Sequence, residues 1–146
     1  MNATHRRTVL RANALFLGLA AVAALLLMDL PGILYGRGTA GQILASAPYT
    51  GIGMVEAHGL ALILAVLLWH AASARAWHLA ALAVELGLGT ANLVFWQLFV
   101  VTDSLPMGYA TTSLHWTFVA LQLAALSGLP ARTPRLAADP LPFERA

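Results

Sequence analysis

Cysteine and lysine are both absent from the 146 residues, and charged side chains of any kind make up only 10% of them. Without cysteine there is no disulfide framework, no thiolate nucleophile and no thiolate metal site, and the redox compartment leaves no mark on the chain. Without lysine, every fixed positive charge is an arginine. The catalytic signatures are missing too: no nucleophile elbow, no phosphate loop and no HExxH. A net charge of +2 spread along the chain offers no basic patch for nucleic acid. With 60% hydrophobic residues and a mean hydropathy of +0.76, there is too little polar surface to cover a soluble globule.

What is present is hydrocarbon in long runs. Residues 9–30, 52–72, 76–101 and 109–129 are each long enough to cross about 30 Å of bilayer core, which takes roughly 20 helical residues. They are too long and too evenly apolar for barrel strands, and unpaired backbone in lipid costs several kcal/mol, so helix is expected throughout. The expected fold is an all-α integral membrane bundle of four transmembrane helices over residues 1–130, followed by a proline-rich cytoplasmic tail over 131–146. If four spans alternate, Arg6, Arg7, Arg11, Arg75, Arg132, Arg135 and Arg145 fall on one side and only Arg37 on the other. By the positive-inside rule both termini are cytoplasmic, and the expected location is a bacterial inner membrane. The first segment has no small-x-small cleavage site before MDLPG, so it is expected to stay as helix 1 rather than to be removed as a signal.

The longest connection, PGILYGRGTAGQILASAPYTG, is too glycine-rich for one firm helix, although TAGQILASA suits a short interfacial turn over the bundle mouth. The brief SARAWH turn implies that the second and third spans are antiparallel neighbours. Asn13 and Asp29 lie near the two ends of the first span, whose small residues suggest close packing.

Within GMVEAHGLALILAVLLWH, a glutamate and a histidine interrupt an otherwise apolar run. Polar groups at such depth cost about 2.5 to 3.5 kcal/mol for an acid and usually face a bundle interior or a wet cavity. By depth, Glu56, His58, Asn92, Gln97 and His115 share an outer level, whereas Glu85 and Gln122 lie nearer the midplane. Glu85, Gly89, Asn92 and Trp96 fall on one helical stripe, as do Thr111 or Thr112, His115 and Gln122. Glu56 and His58 are about 200° apart around their helix. Glu56 shares a face with Gly59, Ile63 and His70, and is taken as the inward residue. His70 and His78, beside Trp69 and Trp77, suit an interfacial aromatic belt.

These placements suggest an outer-half polar-aromatic pocket for a small lipophilic molecule of quinone-, sterol- or isoprenoid-like chemistry. Phe95, Trp96 and Trp116 would give apolar contact and Glu56, Asn92 and His115 orienting polar contact, with Gln97 and Gln122 as further ligand-binding candidates. Glu85 at the midplane either carries a proton or is paired with donors, so Glu85 and His115 are the candidates for proton-transfer chemistry. Other readings stay open. Asn92, Gln97 and Gln122 also suit plain interhelical hydrogen bonding, and exposed Trp, Phe and Leu faces suit a non-catalytic accessory subunit of a larger membrane complex or a homo-oligomer. A single b-type haem between His58 and His115 is a further alternative. A carboxylate metal site is disfavoured, because the Glu-x-x-His motif of helical di-iron bundles is missing.

An arginine-flanked first helix, a Gly/Pro outer loop, a second helix opening on Gly53 and Glu56, a tight Arg75 turn and two further helices together resemble the DoxX-like group of small bacterial four-helix membrane proteins. The resemblance implies a four-helix inner-membrane fold, in some members associated with oxidoreductase systems or quinone chemistry. It supplies no catalytic residue position by position.

Arginine placement makes topology testable. A reporter fused after Ala146 is expected to register as cytoplasmic; a periplasmic signal would require an odd number of spans.

Overall fold

The computed structural model describes residues 1–127. The expected proline-rich tail, its three arginines and the end of the fourth expected span at 129 lie outside the described residues. The described residues form helices and turns, with no strand among them.

Helix α1, Ala3–Ala24, begins where the Asn2 side chain accepts a hydrogen bond from the His5 backbone N–H at 2.9 Å. It starts six residues before the apolar run does, because Arg6, Arg7 and Arg11 are good helix formers. It then runs without a break through a π-helical turn, Leu25–Asp29, into α2, Leu30–Tyr35. Pro31 explains the wide turn: it has no N–H to continue the ladder, and the Leu30 N–H just ahead of it reaches back to the Leu25 carbonyl. The extra residue turns Asp29 to the inside, where it is fully buried.

At Gly36 the backbone becomes left-handed (φ 62°), and after Gly38 (φ 68°) the chain turns back as α3, Gly38–Ser46. The stretch expected to make a short interfacial turn therefore forms a helix. Glycine is needed where it folds over: a Cβ on Gly32 would stand 2.5 Å from the Ala40 Cβ, and one on Gly41 2.3 Å from the Gly36 carbonyl carbon. Packed on α2, the π-turn and α4, α3 covers one end of the molecule.

Helix α4, Thr50–His70, returns through the apolar layer. A short turn leads into α5, Arg75–Val94. The third expected span, to residue 101, is broken at Phe95 (φ −98°, ψ 24°), after which α6 covers Trp96–Val101. Asp103, in a left-handed conformation (φ 50°), turns the chain into α7, Leu105–Ser127, which begins four residues earlier than the sequence run suggests.

The helices pair as α1 with α4 and α5 with α7, and α1 also meets α5 and α7. The short turn thus joins two helices whose main packing partners lie elsewhere, contrary to the expectation from its length. Leu10, Ala14, Leu17, Ala65, Leu68, Ala71 and Ala81 form the apolar core. Around it, large apolar side chains point outward on every helix but α3 and on the π-turn, with Leu19 and Val94 each 69% exposed and Leu27 74%. A surface of that kind is stable against lipid and not against water. Three helices, Ala3–Tyr35, Thr50–His70 and Arg75–Val94, are long and apolar enough to cross a membrane. Helix α7 is as long, but Thr111, Thr112, Ser113, His115, Thr117 and Gln122 lower its hydropathy, so it is not among them.

The glycine hinge predicts an asymmetry. Gly41→Ala should destabilise the protein by about 1 to 3 kcal/mol, because its methyl group would overlap backbone. Gly53→Ala, whose Cβ meets nothing within 4 Å, should be neutral or slightly stabilising in the same thermal-unfolding assay.

Candidate functional site

Along α5, His78, Ala81, Glu85 and Gly89 recur at spacings of three, four and four, and all four are buried. On α7, His115 and Gln122 are seven residues apart and face this stripe. The third wall is α1, which contributes Asn13.

These residues make one continuous hydrogen-bonded chain across three helices. His115 donates from Nδ1 to Oε2 of Glu85 at 2.6 Å, and the Asn13 amide donates to the other carboxylate oxygen, Oε1. Gln122 donates from Nε2 to Oδ1 of Asn13 at 3.0 Å. His78 lies 2.6 Å from Oε1 of Gln122, and since an amide oxygen only accepts, the Nδ1 of His78 carries the proton there. Asn13, His78, Glu85 and Gln122 have no exposed surface, and His115 is 8% exposed.

Donation thus converges on Glu85 from both directions. The carboxylate is hydrogen-bonded to one imidazole and to one amide. The amides of Asn13 and Gln122 fix the position of the Glu85–His115 pair. Apolar rings close the pair in: Phe16 meets the His115 ring edge-on at 5.1 Å and stacks on Phe118 at 5.4 Å. Gly89 lets α5 and α7 approach here, since a Cβ would fall 3.2 Å from the His115 Cβ and 3.1 Å from the Trp116 indole nitrogen. One atom of the chain is unmatched: Nε2 of His78 is buried without a partner.

A second acid–imidazole pair lies in the α1–α4 half of the molecule. His58 Nδ1 stands 2.6 Å from Oδ2 of Asp29; the aspartate is fully buried, the histidine side chain 31% exposed. The other Asp29 oxygen, Oδ1, is buried without a partner. This corrects the helical-phase assignment for EAH. His58, expected to face a neighbouring helix or the interface, meets Asp29 of the π-turn, whereas Glu56, expected inward, is exposed along with Ile63 and His70. Phase showed correctly that the two residues diverge but chose the wrong face, because α4 is apolar around its whole circumference.

The remaining candidates are dispersed. Asn92, half-buried, donates to the Thr111 hydroxyl at 3.2 Å, a packing contact between α5 and α7. Trp96 packs edge-on against Phe99 and Tyr109 at 5.5 and 4.9 Å. Phe95 is 65% exposed, Gln97 is exposed, and the Trp116 ring is partly exposed beside Gly89. The structure brings together Glu85, His115 and Gln122 but does not gather Glu56, Phe95, Trp96 and Gln97 around them. His58 and His115, the alternative haem ligands, are each bonded to a different carboxylate. Among the described residues no group of three or more histidine or acidic side chains is placed to hold a metal ion.

Three participants were missed: Asn13, Asp29 and His78. Asn13 looked terminal because the apolar run begins at residue 9. Counted from the helix starts, Asn13 is ten residues past Ala3 and Glu85 ten past Arg75, which puts them level. His78 looked interfacial beside Trp77, yet it continues the Glu85 stripe by one spacing of seven.

At the α3-covered end an open groove of about 490 Å³ lies between α2, α3 and α4. Ile33, Leu44, Ile52 and Val55 give it an apolar lining, Gly32 and Gly51 line it as well, and Glu56 is its one charged residue. Comparison with known proteins adds no relative: no family model, no curated protein and no solved structure matches the chain.

The chain of hydrogen bonds predicts strong coupling. Asn13→Leu strands one oxygen of Glu85 and the Gln122 amide together, and should cost about 1 to 3 kcal/mol for each orphaned group. Adding Gln122→Leu should then cost less than it does alone, so a double-mutant cycle by detergent unfolding should show coupling of about 0.5 kcal/mol or more.

Proposed function

We propose that the chain is a four-span protein of a bacterial inner membrane that holds a small lipophilic molecule in the groove between α2, α3 and α4. In this arrangement α7 is the fourth span. Its two most polar residues, His115 and Gln122, are buried within the protein, so neither is left facing lipid. With four spans, the arginines of α1 and of the α4–α5 turn share the cytoplasmic side and both termini lie there. The resemblance to the DoxX-like group points the same way.

The observation that carries the binding proposal is the groove itself. Its volume of about 490 Å³ suits a small ligand, its walls are branched aliphatic side chains, and one carboxylate stands at its edge. A quinone-, sterol- or isoprenoid-like molecule matches that lining. Glu56, exposed rather than inward, is the group positioned to meet the polar end of such a molecule. Glu85 and His115, both buried, line no part of this groove, so the proposal is for binding rather than for turnover at that pair.

Small molecules extracted from the purified protein and identified by mass spectrometry test this directly. The expected result is one lipophilic species at near one per chain, reduced about tenfold or more by Val55→Trp, which fills the groove from an exposed position, and less strongly by Glu56→Gln. Extracts holding only bulk phospholipid, unchanged by Val55→Trp, would overturn the proposal.

A further inference from the structure

A seam between α1 and α4 runs from the arginine-rich end of the molecule into the apolar layer. Its first part is a polar pocket of about 490 Å³ lined by Ala3, Thr4, Arg7, Arg11, Ala72 and Ser73. Farther along the same two helices is a groove of about 300 Å³ with an almost wholly apolar lining, walled by Ala14, Gly18 and Val22 on α1 and by Leu62, Ala65 and Trp69 on α4. Arg7, Arg11, Ala14, Gly18 and Val22 recur at spacings of three and four, so pocket and groove lie on one face of α1. The Arg11 guanidinium sits 5.3 Å from the centre of the Trp69 ring, and so links a residue of the pocket to a residue of the groove.

We infer that this seam binds one anionic phospholipid, its phosphate in the polar pocket and an acyl chain in the groove. The pocket is cationic: it contains two arginines, and Thr4 and Ser73 add hydroxyl groups. Helices α1 and α5, of 22 and 20 residues, both begin at this end, so the positive ends of two helix dipoles are near. No carboxylate lines the pocket. Of the described acids, Asp29 is bonded to His58 and Glu85 to His115, Glu56 edges the groove at the other end, and Asp103 lies in the turn before α7. A zwitterionic headgroup would find no partner for its cationic end, whereas a headgroup whose only charge is phosphate would. The groove assigns the anion to a lipid rather than to free phosphate. From Ala14 to Val22 it extends about 12 Å at 1.5 Å per residue, enough for much of an acyl chain. Gly18 keeps it open, since no side chain stands there. Basic pockets between spans on the cytoplasmic side are a general means of holding such headgroups.

The test uses the full chain in mild detergent, with phosphatidylglycerol and phosphatidylcholine added in defined ratios and bound lipid counted by native mass spectrometry. One phosphatidylglycerol per chain should be retained in preference to phosphatidylcholine, and millimolar inorganic phosphate should not displace it. Arg7→Gln combined with Arg11→Gln, both exposed positions, should weaken phosphatidylglycerol retention about 30-fold and leave phosphatidylcholine unaffected. Gly18→Leu, which fills the groove, should weaken it with both arginines intact; circular dichroism and elution volume confirm that each variant is folded. Equal retention of the two lipids would overturn the inference. So would displacement by phosphate, or full retention in Gly18→Leu, either of which would reduce the seam to a headgroup or anion site without a lipid chain.

Discussion

The carboxylate of Glu85 holds the two halves of the molecule together. It sits on α5 and takes hydrogen bonds from α7 through His115 and from α1 through Asn13. In water such bonds would contribute modestly, because solvent competes for every group. In lipid nothing competes, and leaving any of them unmade costs the desolvation of that group. Gln122 and His78 extend the same arrangement over two further turns. Apolar packing alone would define the helix pairs poorly here, since lipid tails offer leucine the same environment that another helix does. The polar chain fixes which faces meet.

At the α3-covered end, shape is set by backbone rather than by polar side chains. Pro31 forces the wide turn, Gly36 and Gly38 reverse the chain, and Gly32 and Gly41 let α3 lie against the preceding turn without overlap. The result shelters Asp29 and shapes the groove that ends at Glu56. One oxygen of Asp29 is bonded to His58 and the other is buried without a partner. The two recesses therefore differ in origin: the groove at this end follows from a folded-back segment, and the α1–α4 seam from small residues on two long helices.

Much of this was legible in the sequence. Composition and run length determine an all-helical chain with membrane-crossing segments, because both are local properties summed over about 20 residues. Helical periodicity put Glu85, Gly89, Asn92 and Trp96 on one stripe and His115 with Gln122 on another; Trp96 drops out where α5 ends, and of the residues that stay, Glu85, Gly89, His115 and Gln122 are buried and Asn92 half-buried. Periodicity needs only a regular helix, and α5 and α7 are regular over those residues.

What the tertiary structure alone decided is which way the remaining polar residues point and what they meet. A helix in lipid is apolar on every side, so hydrophobicity cannot separate its lipid-facing from its protein-facing surface. That is why Glu56 and not His58 seemed inward. Asn13 was hidden by a helix that starts before its apolar run, and Asp29 by a π-turn that no periodic pattern contains. His78 acquired its role only because Gln122 stands opposite it. Each depends on the register of one helix against another, a relation between distant parts of the chain that no local pattern records.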